Sequence, residues 1–176
     1  AVVKSLAKSP LCDKIFAAPG NGGIRRQATC LPASAEDIPA LVTAAQKNDI
    51  DFAVVTPDDP LVAGAVDALE AAGIPCFGPD AKAAAIEGSK VFAKELMTKY
   101  GIPTAEYRTF SDAASALSYV QSCELPIVIK ADGLAKGKGV VIAETREEAG
   151  NAVRSCMQDM VFGDSGKSVV IEEFLT

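Results

Sequence analysis

Between residues 14 and 77 the sequence alternates short apolar, β-branched runs with Ala-rich windows of helical periodicity, and few folds accept that pattern. Residues 14–18 (KIFAA) predict a strand, and Pro19-Gly20-Asn21-Gly22-Gly23 predicts a loop, because Gly and Asn tolerate positive φ. Ser34 predicts a helix N-cap with Asp37 at the capping-box distance, so that Ile38, Leu41, Val42 and Ala45 share a buried face. Residues 52–55 (FAVV) predict a second strand, whose unbroken apolar run suits a sheet covered on both faces. Residues 61–72 predict a helix with Leu61, Ala65, Leu69 and Ala72 on one face, closed by Gly73, and residues 74–77 a third strand. The order β-α-β-α-β implies parallel strands, right-handed crossovers and a doubly wound α/β sheet.

The pattern changes after residue 80. Residues 81–100 predict helix, interrupted at Gly88, with Ser89 as an N-cap and Phe92, Leu96 and Tyr100 on one face. Gly101-Ile102-Pro103 stops it. A strand at 106–110 follows, then a helix capped by Ser111 with Ala114, Leu117 and Val120 on one face. Strands at 127–130 and 140–143, a helix at 146–157 and a strand at 168–174 complete the series. The expected organisation is two domains, residues 1–80 and 81–176.

Composition narrows the function. The 176 residues carry 17 Lys plus Arg against 23 Asp plus Glu, a formal charge of −6, which argues against binding nucleic acid by bulk electrostatics. Hydrophobic residues make up 49%, enough apolar surface to offset the entropy of ordering. No apolar run approaches the roughly 18 residues of a membrane span, and no basic-then-apolar leader is visible. There is no His, so the commonest general base and zinc ligand are missing. Five scattered Cys without a CxxC suit free thiols in a reducing cytoplasm rather than disulfides or zinc. The chain opens within a helical window at Ala1 and stops at a strand end at Thr176, and so reads as a piece of a longer protein.

Four segments carry chemistry. In residues 127–141 a buried strand ends in Lys130, and a loop with Gly133, Lys136, Gly137, Lys138 and Gly139 runs into the next strand. Glycines let backbone N–H groups approach a polyphosphate, and lysines add point charges. The connection is strand–loop–strand, so such a clamp is a hairpin lid rather than a phosphate loop on a helix; a Lys-rich surface hairpin is the plain alternative. In residues 54–64 a strand leads through Pro57 and Pro60 into a helix. That is the place where open α/β sheets bind ligands, although Asp58 and Asp59 also suit simple capping. In Glu87-Gly88-Ser89-Lys90 a lysine stands in the first helical turn, against the helix dipole, which suggests a nearby anion or else an exposed solubilising side chain. In residues 169–175 an apolar strand ends in Glu172 and Glu173, able to accept from a base amino group or to sit as surface acids. Two decoys are set aside. Residues 163–168 (GDSGKS) mimic the end of a phosphate loop, but Val161 stands where its first Gly must be and a strand follows. No GxGxxG is present, which weakens a nicotinamide oxidoreductase reading.

Taken together, in this order and spacing, these segments resemble the glycinamide ribonucleotide synthetase (phosphoribosylamine–glycine ligase) family of purine biosynthesis. The resemblance runs through Ala18-Pro19-Gly20-Asn21, residues 57–64, Phe77-Gly78-Pro79, residues 87–90, Gly101-Ile102-Pro103-Thr104, residues 129–135, Gly137-Lys138-Gly139-Val140 and Glu172-Glu173-Phe174-Leu175. It implies a Rossmann-like N-terminal domain followed by the first part of an ATP-grasp domain with an α+β lid. The implied reaction joins 5-phosphoribosylamine to glycine through a glycyl phosphate, with ATP giving ADP and phosphate and Mg²⁺ (or Mn²⁺) assisting.

On the same resemblance Lys130 is the catalytic candidate. Lys90 and Lys130 would contact ATP, Lys130 near the phosphates, Gly137, Lys138 and Gly139 would belong to a mobile lid over the triphosphate, and Glu172 with the backbone of Glu173 and Leu175 would hold adenine. Gly20, Asn21, Gly23, Pro57, Asp58, Pro60, Leu61 and Gly64 would line the phosphoribosylamine side. Asp58 departs from the longer Glu usual in that loop. Small molecules are the implied partners, with no nucleic acid and no membrane. Metal ligands and most of the glycine pocket would lie outside these residues, so the piece alone is expected to be inactive and poorly stable. The alternatives are another ATP-grasp enzyme of the biotin-dependent carboxylase or carbamoyl-phosphate type, and a non-catalytic nucleotide-binding domain.

Overall fold

The computed structural model describes residues 1–135 and 137–175; Lys136, one of the two loop lysines named above, and Thr176 lie outside the described residues. The chain divides into two compact units, Ala1–Ala84 and a second from Ala85 to the end. No helix among the described residues is long and apolar enough to cross a membrane.

The first unit runs α1 (Val2–Leu6), β1 (Phe16–Ala17), a short 3-10 turn (Ile24–Arg26), β2 (Thr29–Cys30), α2 (Ile38–Lys47), β3 (Ala53–Val54), α3 (Asp58–Val62), α4 (Ala65–Ala71) and β4 (Cys76–Phe77). Pairing is parallel throughout, as the α/β reading requires: Phe16 faces Thr29 across β1–β2, and Ala53 faces Cys76 across β3–β4. The ladders are two residues long and form two separate two-stranded sheets. The core is Ala45, Leu69 and Ile74, with Val42, Ile50, Ala53, Val55 and Cys76 packed on it.

Four local expectations change in this unit. Strand β2 was not legible, because Thr29–Cys30 lies in no β-branched apolar run. Helix α2 is capped by Asp37, whose carboxylate accepts from the Ala40 N–H at 3.0 Å, while Ser34 makes a turn to Glu36; Pro39 in the first turn places the start later than Ser34. The single helix expected at 61–72 is broken at Gly64, whose φ of +84° lies in the left-handed region. Phe52 is exposed rather than part of a fully covered strand.

Helix α5 (Ala81–Gly88) runs across the division at Ala84, and the second unit continues with α6 (Lys90–Lys99), β5 (Tyr107–Phe110), α7 (Ala113–Val120), β6 (Ile127–Ala131), β7 (Val140–Ala143), α8 (Arg146–Met157), a 3-10 turn (Gly163–Gly166) and β8 (Val169–Glu173). The sheet order is β5-β8-β6-β7, antiparallel at every pairing. Strand β6 alternates, sending Ile127, Ile129 and Ala131 into the core that α7 and α8 cover. Ile129 and Ile171 are cross-strand partners and both fully buried, each contributing about 1.5–3 kcal/mol by removal from water. Helix α8 opens with a full capping box, Thr145 with Glu148. Helix α7 is capped by Asp112, not Ser111, through the Ser115 N–H at 2.8 Å. Ala116 and Val120 form its buried face while Ala114 is exposed.

Helix α6 overturns one expectation outright. Ser89 caps it as expected, accepting from the Phe92 N–H at 3.1 Å. Of the three apolar residues on the expected face, however, Phe92 and Tyr100 are exposed and Leu96 is only half-buried, and the buried residue is Lys94. Lys94 turns instead to a polar cluster of Thr104, the Ala105 carbonyl and Glu172.

Candidate functional site

The register of the antiparallel sheet builds the centre of the site. On β8, Val169 and Ile171 belong to the apolar core, so by alternation Val170 and Glu172 point to the other face. On β6 the same face carries Val128 and Lys130. Val128 stands opposite Glu172, and Lys130 opposite Val170, which makes Lys130 and Glu172 diagonal neighbours. Lys130 Nζ donates to Glu172 Oε2 at 2.7 Å. The Glu172 side chain is 6% exposed, whereas that of Lys130 is 27% exposed and so reaches the surface of the site.

Helix α6 packs against β8 on this face. From it Lys94 Nζ lies 3.3 Å from Glu172 Oε1 and is itself buried. Both oxygens of the carboxylate therefore contact an ammonium, one deep and one half-open. The residue expected to accept from a base is held between two lysines.

The helix start is tied to the strand-end loop. Asp132 accepts from the Ser89 hydroxyl at 2.9 Å and from the Val91 N–H at 2.8 Å, giving α6 a carboxylate at its positive end. The Lys90 N–H donates to the Asp132 carbonyl at 3.0 Å, and its ammonium donates to the carbonyls of Asp132 and Gly133 at 3.4 and 3.0 Å. Burial pushes the Lys90 pKa below its ordinary value; the Asp132 carboxylate opposes that shift, Lys130 adds to it, and Glu87 and Glu172 oppose it. Lys90 and Lys130 therefore lie near enough for the charge of one to act on the other.

The Gly/Lys loop is anchored at both ends. The Ala131 N–H donates to the Gly139 carbonyl at 2.8 Å, and the Lys138 N–H to Ala135 at 2.9 Å. Gly137 has φ of +76° and Gly139 is buried, where a Cβ would stand 2.5 Å from that of Ala135. Lys138 is exposed. The turn at Gly163–Gly166, set aside as a decoy, holds the loop: Ser165 donates to the Leu134 carbonyl at 2.7 Å, and the Gly133 N–H donates to the Ser165 carbonyl at 3.3 Å. A side chain at Gly133 would strike Ser165, which is why glycine stands there.

Past Glu172 the strand end ties β8 to β5. Glu173 Oε1 accepts from the Glu106 N–H at 2.8 Å and the Glu173 N–H donates to the Glu106 carbonyl at 2.9 Å, so this residue staples β5 to β8. Leu175 is exposed.

In the first unit the expected residues lie in two loops. After β1, Gly20 has φ of +72°, and a Cβ there would collide with the Cys30 thiol. Asn21 Oδ1 accepts from the N–H groups of Gly23 and Ile24, each at 3.0 Å, capping the short turn. After β3, Pro57 precedes α3. Asp58 accepts from the Asp59 N–H at 3.1 Å, Pro60 is buried, and Leu61 lies against Gly78. Gly64 opens α4.

Lys94, Asp132 and Ser165 were assigned no role from sequence. A signal for Lys94 existed: two lysines four apart on one helix repel unless an anion lies between them, and Lys90 and Lys94 are so spaced. Nothing local marked Ser165, whose partner is 31 residues away.

Known proteins resemble this chain along its length. Residues 1–87 match the phosphoribosylglycinamide synthetase N domain and residues 88–176 its ATP-grasp (A) domain. A phosphoribosylamine–glycine ligase of Yersinia pestis is 50% identical over 171 residues, covering 96% of this chain and 40% of that protein. The crystal structure of phosphoribosylamine–glycine ligase from Thermotoga maritima superposes with a TM-score of 0.76 at 29% identity, over 99% of this chain and 41% of that one. The biotin carboxylase domain of Hydrogenobacter thermophilus 2-oxoglutarate carboxylase, solved with MgADP and bicarbonate, shares the fold at a TM-score of 0.77 and 18% identity, over 99% of this chain and 42% of that one. The chain spans about two fifths of the length of the curated relatives it matches.

Proposed function

Because this chain belongs to the phosphoribosylglycinamide synthetase family, we propose that it supplies the nucleotide-binding face of an ATP-dependent ligase joining 5-phosphoribosylamine to glycine. The observation that carries the reading is the cationic group on one sheet face: Lys130 held by Glu172, with Lys90 against the strand-end loop. In the proposed reaction a glycine carboxylate oxygen attacks the γ-phosphorus of ATP and the bond to the β,γ-bridging oxygen breaks, releasing ADP. The amine of phosphoribosylamine then attacks the glycyl carbonyl carbon, phosphate leaves with the C–O electron pair, and the nitrogen loses a proton. Neither step needs a protein nucleophile or a His base, in keeping with a chain without His. Positioning and charge neutralisation carry phosphoryl transfer.

Lys130 and Lys90 are assigned to the phosphates. Gly137, Lys138 and Gly139 form the lid, whose buried Gly139 and left-handed Gly137 bring backbone close. Adenine is assigned to the backbone of the strand end at Glu172, Glu173 and Leu175, because both oxygens of the Glu172 carboxylate are taken by Lys94 and Lys130. Gly20, Asn21, Gly23, Pro57, Asp58, Pro60, Leu61 and Gly64 are assigned to phosphoribosylamine. A divalent cation would neutralise phosphate charge, but no group of three or more His, Cys, Asp or Glu side chains that could hold one occurs among the described residues. None of these residues is assigned to it. A reducing, cytoplasmic setting is part of the proposal, supported by five free thiols.

The test is ADP release by the intact protein. Release that depends on glycine and phosphoribosylamine together supports the reading. Release driven by bicarbonate, or ATP binding with no turnover, sinks it.

A further inference from the structure

The three protons of the Lys94 ammonium have three acceptors: Thr104 Oγ1 at 2.7 Å, the Ala105 carbonyl at 3.2 Å and Glu172 Oε1 at 3.3 Å. The Tyr107 ring lies 5.2 Å from it. Its side chain is 7% exposed, too deeply set to bind a solute itself. Its route to function is through Glu172, whose other oxygen holds Lys130.

The charge count decides what that route does. A carboxylate paired with Lys130 alone would make a neutral couple with little attraction for an anion. With Lys94 on Oε1, two ammonium groups share one carboxylate, and the half-open member, Lys130, faces the site with positive charge left over. We propose that Lys94 is a positioning residue that sets this charge: it fixes the plane of the Glu172 carboxylate and leaves Lys130 free to attract a polyphosphate. The inference rests on the nucleotide reading above. It also gives a use to Gly101-Ile102-Pro103-Thr104, since the turn that stops α6 brings Thr104 and Ala105 back to Lys94.

The test is displacement of a fluorescent ATP analogue from the intact protein by tripolyphosphate and, separately, by adenosine. Lys94→Met is expected to weaken tripolyphosphate roughly tenfold, the order of one unit charge at this range, and to leave adenosine unchanged. Lys94→Arg should keep the wild-type pattern. Lys94→Met/Glu172→Gln should restore tripolyphosphate, because the neutral amide no longer cancels Lys130. Unchanged tripolyphosphate in Lys94→Met, or equal weakening of both ligands, overturns the proposal, since a purely structural lysine would give one or the other. Should Lys94→Met fail to fold, the double variant decides: wild-type tripolyphosphate affinity supports the proposal, and a loss of about tenfold overturns it. If tripolyphosphate displaces nothing from the wild type, the nucleotide reading itself has failed and takes this inference with it.

Discussion

Lys130 Nζ and Glu172 Oε2 lie 2.7 Å apart although 42 residues separate them in sequence. Antiparallel pairing of β6 with β8 makes them diagonal neighbours on one face, and the burial of Glu172 keeps water from screening the pair. In the proposed site the ammonium is thereby held toward the phosphates. Replacing Lys130 by Met removes that charge and leaves Glu172 still paired with Lys94. Substrate-dependent ADP release by the intact protein should fall on the order of 10²–10³-fold, with the thermal midpoint little changed. Steady-state kinetics beside a melting curve checks both halves.

Asp132 caps α6 from across the fold, through Ser89 and the Val91 N–H. Asp132→Ala should cost about 1–2 kcal/mol of stability, the worth of a lost cap. Asp132→Asn keeps an acceptor oxygen and should cost less. Urea denaturation of both variants gives the comparison, and equal losses would speak against the cap.

Gly139 is buried with no room for a side chain, since an added Cβ would stand 2.5 Å from Ala135 Cβ and 3.3 Å from Ala131 Cβ. Gly139→Ala should shift the loop rather than unfold the sheet, at about 1–3 kcal/mol. The readout is a raised KM for ATP with far-UV circular dichroism unchanged. A wild-type KM would remove this loop from the site.

Lys90 carries a pH dependence of defined sign. Burial lowers its folded pKa below the ordinary 10.5, so between the two values the unfolded chain holds more protons than the folded one. Unfolding free energy then rises with pH across that window, as linkage requires. The penalty from Lys90 is fully present below the folded pKa and is relieved as pH climbs to 10.5. Lys90→Met should flatten the rise, seen as a stability difference from wild type that shrinks toward alkaline pH. A difference that grows instead would reverse the assignment of burial as the leading cause.

Much of the second unit was legible. The helix at Arg146–Met157 and the strand–loop–strand around Lys130 follow from local periodicity and from glycines at the turns. Lys90, Lys130 and Glu172 stood out as candidates because each breaks a local rule: a cation against a dipole, or charges at the end of an apolar strand. Legibility failed where a local rule met a stronger distant partner. Phe92, Leu96 and Tyr100 fit a buried helical face, yet the face that is covered is that of Lys94, because a buried carboxylate waits there. Strand β2 failed for the opposite reason, since Thr29–Cys30 sits in no apolar run that local pattern could mark.

By itself the sequence determined the kinds of most elements, their order and the residue types capable of phosphate chemistry, since propensity, capping and periodicity act within a few residues. Tertiary structure alone decided that Glu172 lies between Lys94 and Lys130, that Asp132 caps a helix 43 residues away, and that a discounted turn at Ser165 anchors the loop. These contacts join segments distant in the chain, and the register that brings them together comes from burying the whole sheet, a free energy no short window of sequence contains.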